Sequence, residues 1–127
     1  MQFNRKLPLL AMLGGALGAV LRYLVGLLPL AGPIPLLTLG INAAAALLMG
    51  FFTGWLDFNT TLGAELGLLL RAGFCGGFST LSLLALELVD MAQAQQLLLA
   101  AVYVTLTLFL CIGGIVLGEN LAAALFK

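Results

Sequence analysis

An all-α integral membrane protein with four transmembrane helices is what this amino-acid sequence predicts. Hydrophobic residues make up 63% of the 127 positions and charged residues only 8%. Soluble domains run at roughly 45–50% apolar and about 25% charged. With a mean hydropathy of +1.21, the chain lacks the polar side chains to coat a water-soluble globule. Spacing supplies the other observation. Apolar stretches at about 7–28, 34–56, 64–89 and 97–118 each reach the length of roughly 20 residues that crosses a hydrocarbon core. Short connectors make them antiparallel neighbours, so residues 1–127 read as a single four-helix membrane domain.

The first stretch follows Arg5 and Lys6 and passes through Ala16-Leu17-Gly18-Ala19, which resembles a signal peptide. The apolar pattern continues past Ala19 to Leu28, so the stretch is read as a span and not as a cleaved leader. Small residues recur at steps of four: Ala11, Gly15 and Ala19, Gly14 and Gly18, Gly50 and Gly54, Gly114 and Gly118. Such stripes let helix backbones approach, either within one subunit or between two. Arg22 lies roughly 22 Å along the first helix. There it either snorkels to the interface or lines a water-filled mouth that draws anions. Tyr23 and Trp55 read as interfacial anchors.

A proline-rich link leads into the second stretch, where Thr38 and Asn42 share one face a helical turn apart. An amide among Ile41 and Ala43-Ala44-Ala45-Ala46 needs a partner on another helix or a hydrated path. The next link carries Asn59-Thr60-Thr61, a glycosylation sequon that sits close to the membrane. In the third stretch, Gly73-Phe74-Cys75-Gly76-Gly77-Phe78-Ser79-Thr80 places glycines and hydroxyls in mid-membrane, where they predict a broken helix. Broken helices at that depth are tolerated when buried in protein or lining a cavity, and their free carbonyls can coordinate cations. Glu87 follows, as an interfacial carboxylate or as the partner of a pathway residue. The fourth stretch sets Tyr103, Thr107 and Cys111 on one stripe. Thr107 either bonds back to its own helix or joins a polar path.

Composition excludes several functions. Net charge is zero, which removes the electrostatic case for nucleic acid as a partner. The absence of histidine excludes histidine catalysis and the usual zinc sites. Cys75 and Cys111 lie in apolar runs without metal-ligand spacing and read as buried small residues. No nucleophile or acid–base pair suggests an enzyme. Arg5, Lys6 and Lys127, with Arg71 not far inside the third stretch, favour cytoplasmic placement of both termini.

Three segments resemble one family. Gly14-Gly15-Ala16-Leu17-Gly18-Ala19-Val20-Leu21-Arg22-Tyr23 resembles its GGxxGAxxRY opening, and Thr38-Leu39-Gly40-Ile41-Asn42 its TLxVN element. Gly73 to Ser82, with Glu87 beyond, resembles its GxxGGxTTFSTF…E segment. On these residues the chain resembles the Fluc (CrcB-like) fluoride channels across its whole length. The resemblance implies a fluoride-selective channel in the cell membrane that exports fluoride passively, built as an antiparallel, dual-topology dimer with two pathways. It implies a structural sodium ion held by main-chain carbonyls, here those of Gly76 and Ser79. It also implies a fluoride pathway that includes Arg22, Thr38, Asn42, Ser82, Glu87, Tyr103 and Thr107.

The chain departs from the pattern where the family's two pore phenylalanines fall on Leu81 and Leu84, and its second threonine on Leu83. Leu37 and Ala45 stand where glycine is usual. A phenyl edge can face an anion and a leucine methyl offers much less. A homodimer conducting through Asn42, Ser82 and the Tyr103–Thr107 track is one expectation. A heterodimer with a paired homologue that supplies the rings is the other. A non-conducting scaffold subunit is a further alternative. A small multidrug-type exchanger fits less well, because the first helix carries Arg22 and no acid.

Overall fold

The computed structural model describes residues 5–59 and 63–127. Four helical stretches in it are long and apolar enough to cross a membrane. We name them α1 (Lys6–Gly26), α2 (Leu36–Phe58), α3 (63–78) with α4 (Leu81–Gln93), and α5 (Leu97–Phe126). The third span, Gly63–Gln93, is thus two helices. Thr60 and Thr61 of the sequon lie outside the described residues.

The ends of these helices follow local chemistry. α2 starts directly after Pro35, whose ring disfavours helix in the residue before it and suits the first turn after it. α5 runs to Phe126, past the limit near 118 that hydropathy suggests. Glu119 and Asn120 are followed by Leu121-Ala122-Ala123-Ala124-Leu125, good helix formers with no glycine or proline to stop them. At about 45 Å, α5 is longer than the roughly 30 Å hydrocarbon core. Its last turn packs Phe126 against Phe51 and Trp55, with ring centroids 6.1 and 6.4 Å away.

Two close seams hold the bundle together, α2 against α5 and α1 against α3. The glycine stripes build them from within one chain. A Cβ at Gly118 would overlap the Leu47 carbonyl and come to 2.6 Å from the Phe51 nitrogen. One at Gly18 would overlap the Phe74 carbonyl in the same way. Main chains therefore touch directly, and dispersion between backbones replaces the hydrophobic drive that lipid cannot supply. α1 buries only Gly14 and Gly18, and α5 only Tyr103, Thr107, Gly118 and Ala122. The remaining faces are exposed leucine, valine, isoleucine and phenylalanine, as acyl chains require. Small clusters fill the interior, one of Leu39, Leu84, Met91 and Tyr103, the other of Ile41, Ala45 and Phe78.

The expected break is present, two residues later than the glycine pair. Gly76 and Gly77 are still helical, while Ser79 (φ −71°, ψ 159°) and Thr80 (φ −146°, ψ 102°) are extended. Gly77 serves packing: a Cβ there would overlap the main chain of Gly15. Ahead of the break, Leu68–Cys75 winds as a π-helix, a wider turn that often marks functional positions.

Gly118→Ala should therefore lower the stability of the purified protein by about 1–3 kcal/mol, the usual range for overpacking. Gly113→Ala, whose new Cβ meets nothing within 4 Å, should leave stability unchanged or slightly higher. Thermal unfolding of the two variants in one detergent checks the contrast.

Candidate functional site

The site grows from the hydrogen bonds that the break sets free. In a continuous helix the Thr80 N–H would bond to the Gly76 carbonyl, and the Leu83 N–H to that of Ser79. Instead Thr80 N–H donates to Asn42 Oδ1 at 2.8 Å, and Asn42 Nδ2 donates back to the Thr80 carbonyl at 3.2 Å. Leu83 N–H donates to Thr80 Oγ1 at 3.2 Å, so Thr80 caps α4. Asn42 and Thr80 are both buried, and the amide satisfies a donor and an acceptor that hydrocarbon would leave orphaned. The partner that the sequence demanded for Asn42 is thus the break itself.

Released from the ladder, the Gly76 carbonyl accepts only a long 3.4 Å contact from Ser79 Oγ. The Ser79 carbonyl accepts from Arg22 Nη1 at 3.3 Å. Arg22 is half-buried, and its guanidinium turns inward to the break instead of snorkelling away from it. Both carbonyls are thus out of the helical ladder, that of Ser79 taken up by the guanidinium.

One turn further from Asn42 on α2, Thr38 meets α4 and α5. Thr38 Oγ1 donates to Glu87 Oε1 and Tyr103 Oη donates to Glu87 Oε2, each at 2.7 Å. Three helices thus converge on one carboxylate inside the span, and Tyr103 is fully buried. Glu87 is accordingly a partner of the polar stripe, not an interfacial anchor. Thr107 Oγ1 donates to the Tyr103 carbonyl at 2.8 Å, so the back-bonded alternative holds for its hydroxyl proton.

Two cavities flank these residues. The larger, about 880 Å³, is lined by Arg22, Thr38, Ser79, Thr80, Leu81 and Ser82 among others. The smaller, about 290 Å³, includes Asn42, Met49, Ser79, Leu81, Leu84 and Thr107. They share Ser79 and Leu81. Leu81 is 78% exposed, whereas Leu84 is buried against Leu39, Met91 and Tyr103. Ser82 is exposed and stands apart from the buried hydrogen bonds. Cys75 and Cys111 are free thiols on the wall of the smaller cavity. The sequence reading missed Met49. A signal for it existed, since Met49 continues the face of α2 that carries Thr38, Asn42 and Ala45.

The residues present are of the kinds that attract and coordinate a small anion. They offer a guanidinium, an amide and hydroxyls in a narrow apolar frame, with one carboxylate to repel a second negative charge. Comparison with known proteins points the same way. The family model described as "CrcB-like protein, Camphor Resistance (CrcB)" matches residues 9–119. The curated Fluoride-specific ion channel FluC of Pyrococcus abyssi is 37% identical over 120 residues, which cover 94% of this chain and 98% of that protein. The FluC of Erythrobacter litoralis is 41% identical over 115 residues, covering 84% of each chain. That of Flavobacterium psychrophilum is 38% identical over 101 residues, covering 77% of this chain and 82% of its own. On the family match across the spans and these near full-length similarities, the chain belongs to the CrcB-like protein family.

Proposed function

We propose that the chain is a subunit of a passive fluoride channel in the membrane. The observation that carries this reading is the convergence of the Thr38 and Tyr103 hydroxyls on Glu87, beside two cavities that meet at the break. It is supported by relatives named as fluoride-specific ion channels. Fluoride is small and holds its water tightly, so a path must replace that shell with donors at close range. Arg22 attracts the anion into the larger cavity. Leaving water, the anion takes up hydroxyl and amide donors in turn, and the Thr38 and Tyr103 O–H groups swing from Glu87 to the anion as it passes and back when it leaves. The nearby carboxylate keeps binding weak enough for release. Nothing is transferred chemically, and the concentration gradient sets direction, so a cell loaded with fluoride exports it.

The unit that conducts is an antiparallel dimer, either of two copies or of this chain with a paired homologue. Gly76, Leu81 and Ser82 are exposed at the break, and lipid does not cover open backbone and hydroxyls at that depth. A second chain does. The exposure of Leu81 favours coverage by a partner side chain, and a ring contributed there would supply the edge that leucine lacks. The freed Gly76 and Ser79 carbonyls would hold a structural sodium ion together with oxygens from that second chain. When bound, the ion supplies a fixed positive charge that neutralises the carbonyl dipoles.

Proteoliposomes carrying this chain, alone or co-expressed with a paired homologue, should release fluoride on addition of an ionophore; no release from either would end the reading. Tyr103→Phe and Thr38→Val each remove one donor worth about 1–1.5 kcal/mol. Each should slow flux roughly tenfold without changing the mass of the complex measured by light scattering. Asn42→Ala strands both the N–H and the C=O of Thr80, at about 1–3 kcal/mol for each buried group. That variant should fail first in thermal stability and only secondarily in flux.

A further inference from the structure

Arg71 is a charge well inside a span to which the reading above gives no task. It lies on the π-helical part of α3, about 12 Å from the start of the span. Among the described residues no hydrogen bond or ion pair engages it. Asp57, Glu65 and Glu119 are exposed carboxylates that make no bridge to it. Charges within spans are functional candidates by default, and an unpaired guanidinium presents five donors.

Its surroundings are shaped for a visitor. Arg71 lines a cavity of about 360 Å³ with Met49 and Thr53 of α2 and with Ala64, Gly67 and Ala72. Gly67 makes the room, since a Cβ there would come to 2.9 Å from Arg71 Nη2. Thr53 Oγ1 already donates to the Met49 carbonyl at 2.8 Å, which leaves the guanidinium as the open side-chain donor among the described lining residues. Met49 also lines the 290 Å³ cavity that contains Asn42 and Thr107. That cavity shares Ser79 and Leu81 with the one holding Arg22. The three cavities are thus neighbours in a row, Met49 bordering the first two and Ser79 with Leu81 the last two.

The row has two ends. α1 and α3 run side by side in the same direction, Gly14 lying against Leu69 and Phe74, and Gly18 against Phe74 and Phe78. Arg71 is therefore several turns nearer the start of α1 than Arg22 is, at the opposite end of the row. We infer that Arg71 forms a second small-anion subsite, at the far end of the row of cavities that Arg22 opens, with Met49 on the wall between. This rests on the channel reading for its consequence but not for the binding itself. A cationic mouth raises local anion concentration by about 10-fold or more when salt is low, and the effect falls with ionic strength.

The test compares wild type, Arg71→Gln, Arg71→Lys and Gly67→Ala in neutral phosphatidylcholine vesicles. At low ionic strength, Arg71→Gln should slow fluoride flux about 3–10-fold, and the gap should close in high salt. Arg71→Lys should keep most of the rate, and Gly67→Ala, which displaces the guanidinium, should fall between. In detergent, fluorine NMR line broadening of free fluoride should shrink in Arg71→Gln, a readout that stands even where no chain conducts. A silent wild type with arginine-dependent broadening would remove the channel and keep the subsite. Flux and broadening equal to wild type in Arg71→Gln would overturn the subsite. A defect confined to vesicles containing phosphatidylglycerol would overturn it too, by assigning the guanidinium to lipid phosphate.

Discussion

The pairing of the Asn42 amide with the main chain of Thr80 is the interaction on which the rest of this structure depends. A polypeptide that leaves its helix in the middle of a membrane exposes groups that hydrocarbon cannot solvate. One side chain, planted on a continuous neighbouring helix, answers both the donor and the acceptor at the point of departure. The carbonyls of Gly76 and Ser79 are then released, Thr80 is free to cap α4, and α4 leaves at an angle that carries Glu87 to Thr38 and Tyr103. Remove the amide and the Thr80 N–H and C=O are left without partners at that depth.

α2 is the member that ties the site together. Its one face carries Thr38, Asn42, Ala45 and Met49 in succession, so it contacts the carboxylate, the break and the cavities in turn. Its opposite flank is held against α5 by glycine so closely that main chains meet. A rigid seam on one side and polar contacts on the other suit a path that must hold donors at hydrogen-bond distance without closing on them. Every buried side-chain nitrogen and oxygen among the described residues has a partner, which is how so apolar a chain tolerates them.

Much of this was legible in the residues. Apolar runs of spanning length gave the helices, and Gly-Gly with Ser-Thr gave the break. Isolated polar residues in the spans marked Arg22, Asn42, Glu87 and Tyr103, because each must be answered by something. What periodicity could not supply was the identity of the answer. Asn42 called for a partner, but that the partner is the main chain of Thr80 could not be read, since hydrogen bonding over a separation of 38 residues leaves no trace in local pattern. Nor could local pattern choose between packing within a subunit and between subunits for the glycine stripes; only the approach of Leu47 to Gly118 decides it. The end of α5 was placed short because a hydropathy window stops at Glu119, whereas helix propensity does not.

The order of these residues along the chain bears on how the protein is made. Synthesis delivers the N-terminal spans first, so Asn42 is already in the bilayer when Thr80 leaves the ribosome. The break therefore meets a finished template instead of waiting in lipid with its polar groups open. Glu87 likewise finds Thr38 in place and gains Tyr103 only when the last span arrives. The main chain of the break and the Glu87 carboxylate each emerge after a partner on α2, and a permuted chain that placed α2 last would lose that protection while keeping every contact of the finished fold.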